Sequence, residues 1–304
     1  MPVGRRKPVR ARAACWVVLA VAMTGAHAAE RFKGRAYEVH VGPGVELPAP
    51  AVMVLHGGRS DGPSVRRVSG FDRWVEVHDW VAVYPSSPDG YWNDGRDAEF
   101  ADEASRDDAG YLAELVVHLA DAGIIASEAV YFAGISNGGG MSIRMACEFP
   151  GRVAGLGVVA TKLPRPFRCP RYQPVPSLFF YGTEDPVSPH GGRATGREGR
   201  GFGNKGRTLP ADESIVQWRQ LNGCGPHAQI RRRDRVAGDA TSLRIVEYPG
   251  CTAPLRYYEI VGGGHTWPGG TEPGARWLRR LLGPTSEEVD ASRAMLEFWR
   301  RPAQ

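Results

Sequence analysis

The stretch that most restricts the fold of this chain runs from Ala129 to Pro150. A short apolar run, Val130 to Ala133, reads as a buried strand, and it stops at Gly134-Ile135-Ser136-Asn137-Gly138. A helical rhythm then resumes through Met141, Met145 and Phe149, until Pro150 ends it. Strand, sharp turn and helix form the context in which a G-x-S-x-G turn can present a nucleophilic serine. Side chains at Gly134 or Gly138 are expected to collide with neighbouring backbone in so tight a turn. The serine then sits at a helix N-terminus, whose free N–H groups favour developing negative charge. A second match, Gly58-Arg59-Ser60-Asp61-Gly62, is followed by Pro63 and polar residues and reads as a loop. Ser136 is therefore the preferred nucleophile.

Buried strands alternate with helices on both sides of this turn. Ala51 to Leu55, Val81 to Tyr84, Val153 to Ala160, Ser177 to Tyr181 and Leu255 to Val261 are apolar runs of strand length, and Ala36 to Val41 alternates like a strand. Phe71 to Asp79 and Asp107 to Ala122 have helical spacing. The tail holds two helical stretches, the second opened by a capping box at Thr285-Ser286-Glu287-Glu288 with Val289, Leu296 and Trp299 placed for burial. This alternation predicts an α/β fold, a doubly wound and mainly parallel sheet flanked by helices. With 304 residues and 42% apolar content, the chain can bury one large core.

Residues 1–28 read as a cleaved signal peptide: basic residues from Arg5 to Arg12, an apolar run from Ala13 to Met23, and a small-x-small site at Ala26-His27-Ala28. The apolar run is too short to span a bilayer comfortably, so no stable membrane anchor is expected. The formal charge of +5 equals the number of basic side chains in that leader, and the remainder is balanced. Nothing in this balance calls for nucleic acid, and Arg231-Arg232-Arg233 reads as a solvated strand or loop. Residues 29–304 are expected to form a single catalytic domain, secreted to the periplasm or the extracellular space.

Four cysteines remain in that domain, an even number that implies disulfides in an exported chain. Of three possible pairings, order and loop length favour Cys147–Cys169 and Cys224–Cys251. No C-x-x-C or His/Cys spacing suggests a metal site, and no cofactor is called for. His190 to Pro210, rich in Gly and Arg, breaks the apolar rhythm and is expected to be a flexible excursion. Cys224 to Cys251 reads as irregular or antiparallel structure.

A serine hydroxyl near neutral pH needs a base to take its proton and a third group to orient the base. In open α/β sheets reactive groups collect at the carboxyl ends of strands. Ser136, Asp185 and His265 each follow such a strand, in the order nucleophile, acid, base. Glu184 is the alternative acid. His56 is too early for the base and is expected to fix its own loop by hydrogen bonding. Trp92, Asn93 and Trp267 are candidate substrate-binding residues near the same edge.

Leu55-His56-Gly57-Gly58, Tyr91-Trp92-Asn93-Asp94, Asp107-Asp108-Ala109-Gly110-Tyr111-Leu112, Gly134-Ile135-Ser136-Asn137-Gly138-Gly139, Gly182-Thr183-Glu184-Asp185-Pro186 and Gly263-Gly264-His265-Thr266-Trp267-Pro268 together resemble the secreted poly(3-hydroxybutyrate) depolymerase-like esterases. That group shades into the feruloyl and acetyl-xylan esterases. The resemblance implies an α/β-hydrolase fold and a serine esterase with Ser136, His265 and Asp185 as its triad. It also implies an oxyanion hole from the backbone N–H groups of Gly58 and Asn137, and a small ester or oligoester as substrate. Many members carry cysteine where this chain has Gly58, a change that leaves the backbone donor in place. Thr161-Lys162-Leu163 departs by placing a charge after a core strand. Feruloyl or acetyl-xylan ester hydrolysis, and non-catalytic binding on a hydrolase fold, remain open at this point.

Overall fold

A computed structural model describes residues 29–96, 106–195, 197–199, 206–272 and 275–300. The expected signal peptide at 1–28 lies outside the described residues. Among the described residues the strands are β1 (Glu30–Phe32), β2 (Arg35–Val41), β3 (Ala49–Leu55), β4 (Val81–Pro85), β5 (Ile125–Ile135), β6 (Gly155–Val159), β7 (Ser177–Gly182), β8 (Gln229–Arg233), β9 (Ser242–Glu247) and β10 (Leu255–Val261). They form one sheet in the order β1-β2-β4-β3-β5-β6-β7-β10-β9-β8. From β4 to β10 every neighbouring pair is parallel. The two flanks are antiparallel, β1 and β2 on one side and β9 and β8 on the other.

The parallel strands are apolar throughout because both of their faces are covered. Alternate residues go to opposite sides: Met53, Leu55, Phe179 and Tyr181 face one core, and Val52, Val54, Leu178 and Phe180 the other. The first core is closed by α3 (Asp108–Asp121), α4 (Asn137–Glu148) and α5 (Ala211–Leu221). The second is closed by α1 (Gly62–Ser69), α2 (Phe71–His78) and α7 (Ala291–Trp299). A further helix, α6 (Arg276–Leu282), follows the β10 loop.

Sequence patterning places several ends differently. The capping box at Thr285 does not start a helix. α7 begins at Ala291, where Asp290 accepts the Arg293 N–H at 2.9 Å. Glu288 instead accepts the N–H groups of Arg235 and Val236, and Ser286 Oγ bonds Thr241 Oγ1 at 2.7 Å, so the segment ties the tail to the β8–β9 hairpin. The loop read around Ser60 is shorter than expected, since Asp61 caps α1 by accepting from Ser64 N.

Disulfides join Cys147 to Cys169 and Cys224 to Cys251. The first ties the end of α4 to the segment after β6. The second spans the β8–β9 hairpin, which is the antiparallel reading of that region. The Gly/Arg excursion is anchored in its described parts. Arg193 is 3% exposed, pairs with Thr208 in a short antiparallel bridge, and donates to the carbonyls of Val187 and Glu198. At the far edge, β8 is exposed along most of its length and carries Arg231, Arg232 and Arg233. No described helix is long and apolar enough to cross a membrane.

Candidate active site

Ser136 stands between β5 and α4 with φ 56° and ψ −119°. A positive φ at a non-glycine residue is strained by about 1–3 kcal/mol, so the surroundings must hold it. They do so from both sides: Ser136 N donates to Val159 O at 2.9 Å, and Gly140 N donates to Ser136 O at 3.0 Å. The two glycines permit the close approach. A Cβ on Gly134 would lie 2.4 Å from the Gly138 carbonyl carbon, and one on Gly138 would lie 2.2 Å from Leu55 O. The Ser136 hydroxyl does not turn back to cap the helix. It stays partly exposed beyond the sheet.

Asp185 follows β7 and His265 follows β10, so Ser136, Asp185 and His265 all lie at the carboxyl edge of one parallel run. The two later loops are zipped together: Glu184 N donates to Gly263 O at 3.0 Å and Gly262 N to Thr183 Oγ1 at 2.9 Å. This brings His265 Nδ1 to 2.8 Å from Asp185 Oδ2, with both side chains buried. The other oxygen, Oδ1, accepts the N–H groups of Val187 at 2.9 Å and Ser188 at 2.7 Å. Burial opposes ionisation of this carboxyl. His265, Lys162 and the Ser188 N–H outweigh it and hold its pKa below the usual value. An ionised carboxylate only accepts, so Nδ1 carries the proton and Nε2 is the basic nitrogen. Glu184 is exposed, and Asp185 takes the contact with the imidazole.

His56 is fully buried and is not a base for catalysis. Its Nε2 accepts from Ser87 N at 3.0 Å, and its Nδ1 lies 2.8 Å from Gly57 O, which can only accept. Those partners fix the neutral Nδ1–H tautomer. Burial dominates its titration and pushes the pKa down to about 4, despite the Gly57 carbonyl. With Gly57 O turned to His56, the Gly58 N–H of the same trans peptide points the opposite way. This loop passes close to the elbow: a Cβ on Gly57 would sit 3.5 Å from Ser136 Cβ. The space a side chain at Gly58 would take is filled by the Tyr91 ring, 2.6 Å from that hypothetical Cβ.

The three expected substrate contacts are redirected by packing. Trp92 is 1% exposed, and its Nε1 donates to His56 O at 3.1 Å. It is a strut behind the His56 loop rather than a pocket wall. Trp267 is also 1% exposed, bonding Ser292 Oγ and packing edge-on against Phe71 in the second core. Asn93 is partly buried and ties its loop to two helices: its N–H goes to Asp108 Oδ2 of α3, its amide to Arg106 O, and its backbone carbonyl accepts from Arg144 of α4. Indole rings near a sheet edge read alike in sequence whether they face solvent or core.

One residue escaped a functional reading. Lys162, just after β6, is 1% exposed, donates to Ser188 O, and lies 4.0 Å from Asp185 Oδ2. A charge following a core strand was its signal. Lys162 and Asp94 also border a cavity of about 610 Å³, whose α4 wall is Gly140, Ile143, Arg144 and Cys147. Among the described residues no group of three or more His, Cys, Asp or Glu side chains is arranged to hold a metal ion.

No protein-family model matches the chain. The "Putative esterase NocK" of Nocardia uniformis subsp. tsuyamanensis is 28% identical over 273 residues, covering 87% of this chain and 78% of that protein. Among solved structures, an acetyl xylan esterase from Aspergillus awamori superposes with a TM-score of 0.53 at 14% identity, covering 76% of this chain and 89% of the other. A thermostable esterase gives 0.48 at 16% identity over 89% of this chain and 60% of the other. The fold is that of the α/β-hydrolases.

Proposed function

We propose that the protein is an exported serine carboxylic-ester hydrolase. Ser136 is the nucleophile, His265 the base and Asp185 the orienting acid. The observation that carries the reading is the 2.8 Å bond from His265 Nδ1 to Asp185 Oδ2 at the edge where a strained Ser136 ends β5. The similarity to a chain described as an esterase supports the ester chemistry. Two disulfides support export.

In the proposed reaction His265 Nε2 takes the Ser136 proton as Oγ attacks the ester carbonyl. The N–H groups of Gly58 and Asn137 receive the oxyanion, each such donor contributing about 3 kcal/mol to the transition state. The alcohol leaves with the proton from His265, and water repeats the steps on the acyl-enzyme. The cavity beside α4 is of a size suited to a small ester. Gly140, four residues after Ser136, is the α4 residue of its wall nearest the serine in sequence.

For the substrate we infer a hydroxyalkanoate-type ester or oligoester, supported by the motif resemblance. A second reading, acetyl-xylan or feruloyl ester hydrolysis, is favoured by the likeness to the acetyl xylan esterase fold. Relative rates on 3-hydroxybutyrate oligomers, xylan acetate and methyl ferulate separate the two. Labelling with a fluorophosphonate tests the nucleophile: label is expected on Ser136, and label on Ser60 or on no serine rejects the assignment. Equal nitrophenyl acetate hydrolysis by wild type and Ser136→Ala would favour a binding protein instead.

A further inference from the structure

Asp185 Oδ2 faces two cations-in-waiting, not one. On one side is His265 Nδ1 at 2.8 Å; on the other is the ammonium of Lys162 at 4.0 Å. Lys162 is sealed from solvent. It is fixed by the carbonyl of Ser188, with the Ser188 hydroxyl at 3.4 Å. Ser188 in turn donates its N–H to Asp185 Oδ1, so the acid and the lysine share one anchor. An ammonium is not buried this completely without a partner. Burial pushes its pKa down to about 8, Asp185 pulling up and Arg193 pushing further down. The Asp185 carboxylate, 4.0 Å away, is the partner that favours the charged form of the lysine. The Tyr181 ring lies under the ammonium at 5.3 Å, and His190 also senses its charge.

We infer that Lys162 is a positioning residue for ester hydrolysis: it offsets part of the Asp185 charge, so the carboxylate orients His265 without trapping the imidazole in its protonated form. This rests on the Ser136–His265–Asp185 reading. Without Lys162 the full negative charge of a buried carboxylate would act on His265 alone, and the base would be lost to protonation at higher pH. Lys162 Nζ and His265 Nδ1 meet the same oxygen and so lie within about 7 Å of each other. At an effective dielectric near 20 their repulsion corresponds to roughly one to two pH units. The consequence is an activity range that reaches further to the acid side.

The test compares kcat/KM for nitrophenyl acetate across pH in wild type, Lys162→Gln, Lys162→Met and Lys162→Arg, with fluorophosphonate labelling of Ser136 as a check of the triad. For the Gln and Met variants the acid limb should rise by about one to two pH units, and the ratio of rates at pH 5.5 and pH 9 should fall about 10- to 100-fold. Arg should keep the wild-type ratio. An unmoved limb, or a loss equal at every pH, assigns Lys162 to packing alone and overturns the inference. A wild type that neither hydrolyses nor labels overturns the triad reading instead. If the neutral variants do not fold, ¹³C NMR of the Lys162 side chain in wild type and Asp185→Asn reads the Lys162–Asp185 interaction on which the proposal depends. Loss of the carboxylate should lower the pH at which Lys162 gives up its proton, and an unchanged titration overturns the proposal.

Discussion

The side-chain amide of Asn137 grips the backbone of Trp92 at both of its polar groups. Oδ1 accepts the Trp92 N–H at 2.7 Å, and Nδ2 donates to the Trp92 carbonyl at 2.9 Å. Nδ2 also reaches Asp94 Oδ2 at 2.9 Å. The residue after the elbow serine thus clamps the loop that props His56.

Replacing Asn137 with Ala should therefore cost more than one hydrogen bond. It leaves the buried N–H and carbonyl of Trp92 without partners, a penalty of about 2–4 kcal/mol. Urea unfolding of Asn137→Ala at pH 7 checks this. A change below about 0.5 kcal/mol would show that the clamp is not loaded.

The triad reading makes Asp185→Asn the most informative catalytic variant. The amide can present a donor to His265 and so favour the wrong tautomer. A loss of roughly 10⁴-fold in kcat is expected, with KM little changed, following the behaviour of the corresponding change in serine proteases. Steady-state kinetics on nitrophenyl acetate measures it. A loss under tenfold would indicate that His265 does not depend on this carboxylate.

Burial of neutral His56 predicts an acid-sensitive fold. The unfolded chain takes up a proton near pH 6.5, while the folded chain resists until about pH 4. Between those values the unfolded state binds more protons, so stability falls as pH falls, by about 3 kcal/mol in total from this residue. Urea midpoints from pH 7 to pH 4 test it. In His56→Gln the contribution from this site should vanish and the slope should flatten.

The disulfide between Cys147 and Cys169 fastens the C-terminal end of α4 to the segment beyond Lys162. The double variant Cys147→Ala/Cys169→Ala should lose about 2–4 kcal/mol. Thermal unfolding under oxidising conditions compares it with wild type. The difference should disappear when both proteins are reduced.

Much of this arrangement is legible in the amino-acid sequence. The strand–turn–helix at Ser136 is local, and its glycines have only one steric explanation. The apolar runs that carry Asp185 and His265 are long enough to read as parallel strands. What local pattern could not show was where side chains point after packing. Trp92 and Trp267 sit near the right edge but turn into the interior, because His56 O and Ser292 Oγ are waiting there for indole donors. The Thr285 segment satisfies a capping box on paper. Its glutamate is taken by two backbone donors that lie more than fifty positions earlier. Arg193 lies in the Gly/Arg-rich stretch from His190 to Pro210 that is expected to be flexible. A distant strand-like partner at Thr208 draws it inside. Lys162 was visible as an oddity, and its meaning required the loop after β7.

β8 gives the sheet its last rung, and that rung bears guanidinium groups at three successive positions. Two of the three face acids of the same chain, Arg231 beside Glu247 and Arg233 beside Glu288, and a second copy adding its own strand would bring further arginines to that edge. Charged side chains on an outermost strand disfavour the addition of a further strand from a second copy.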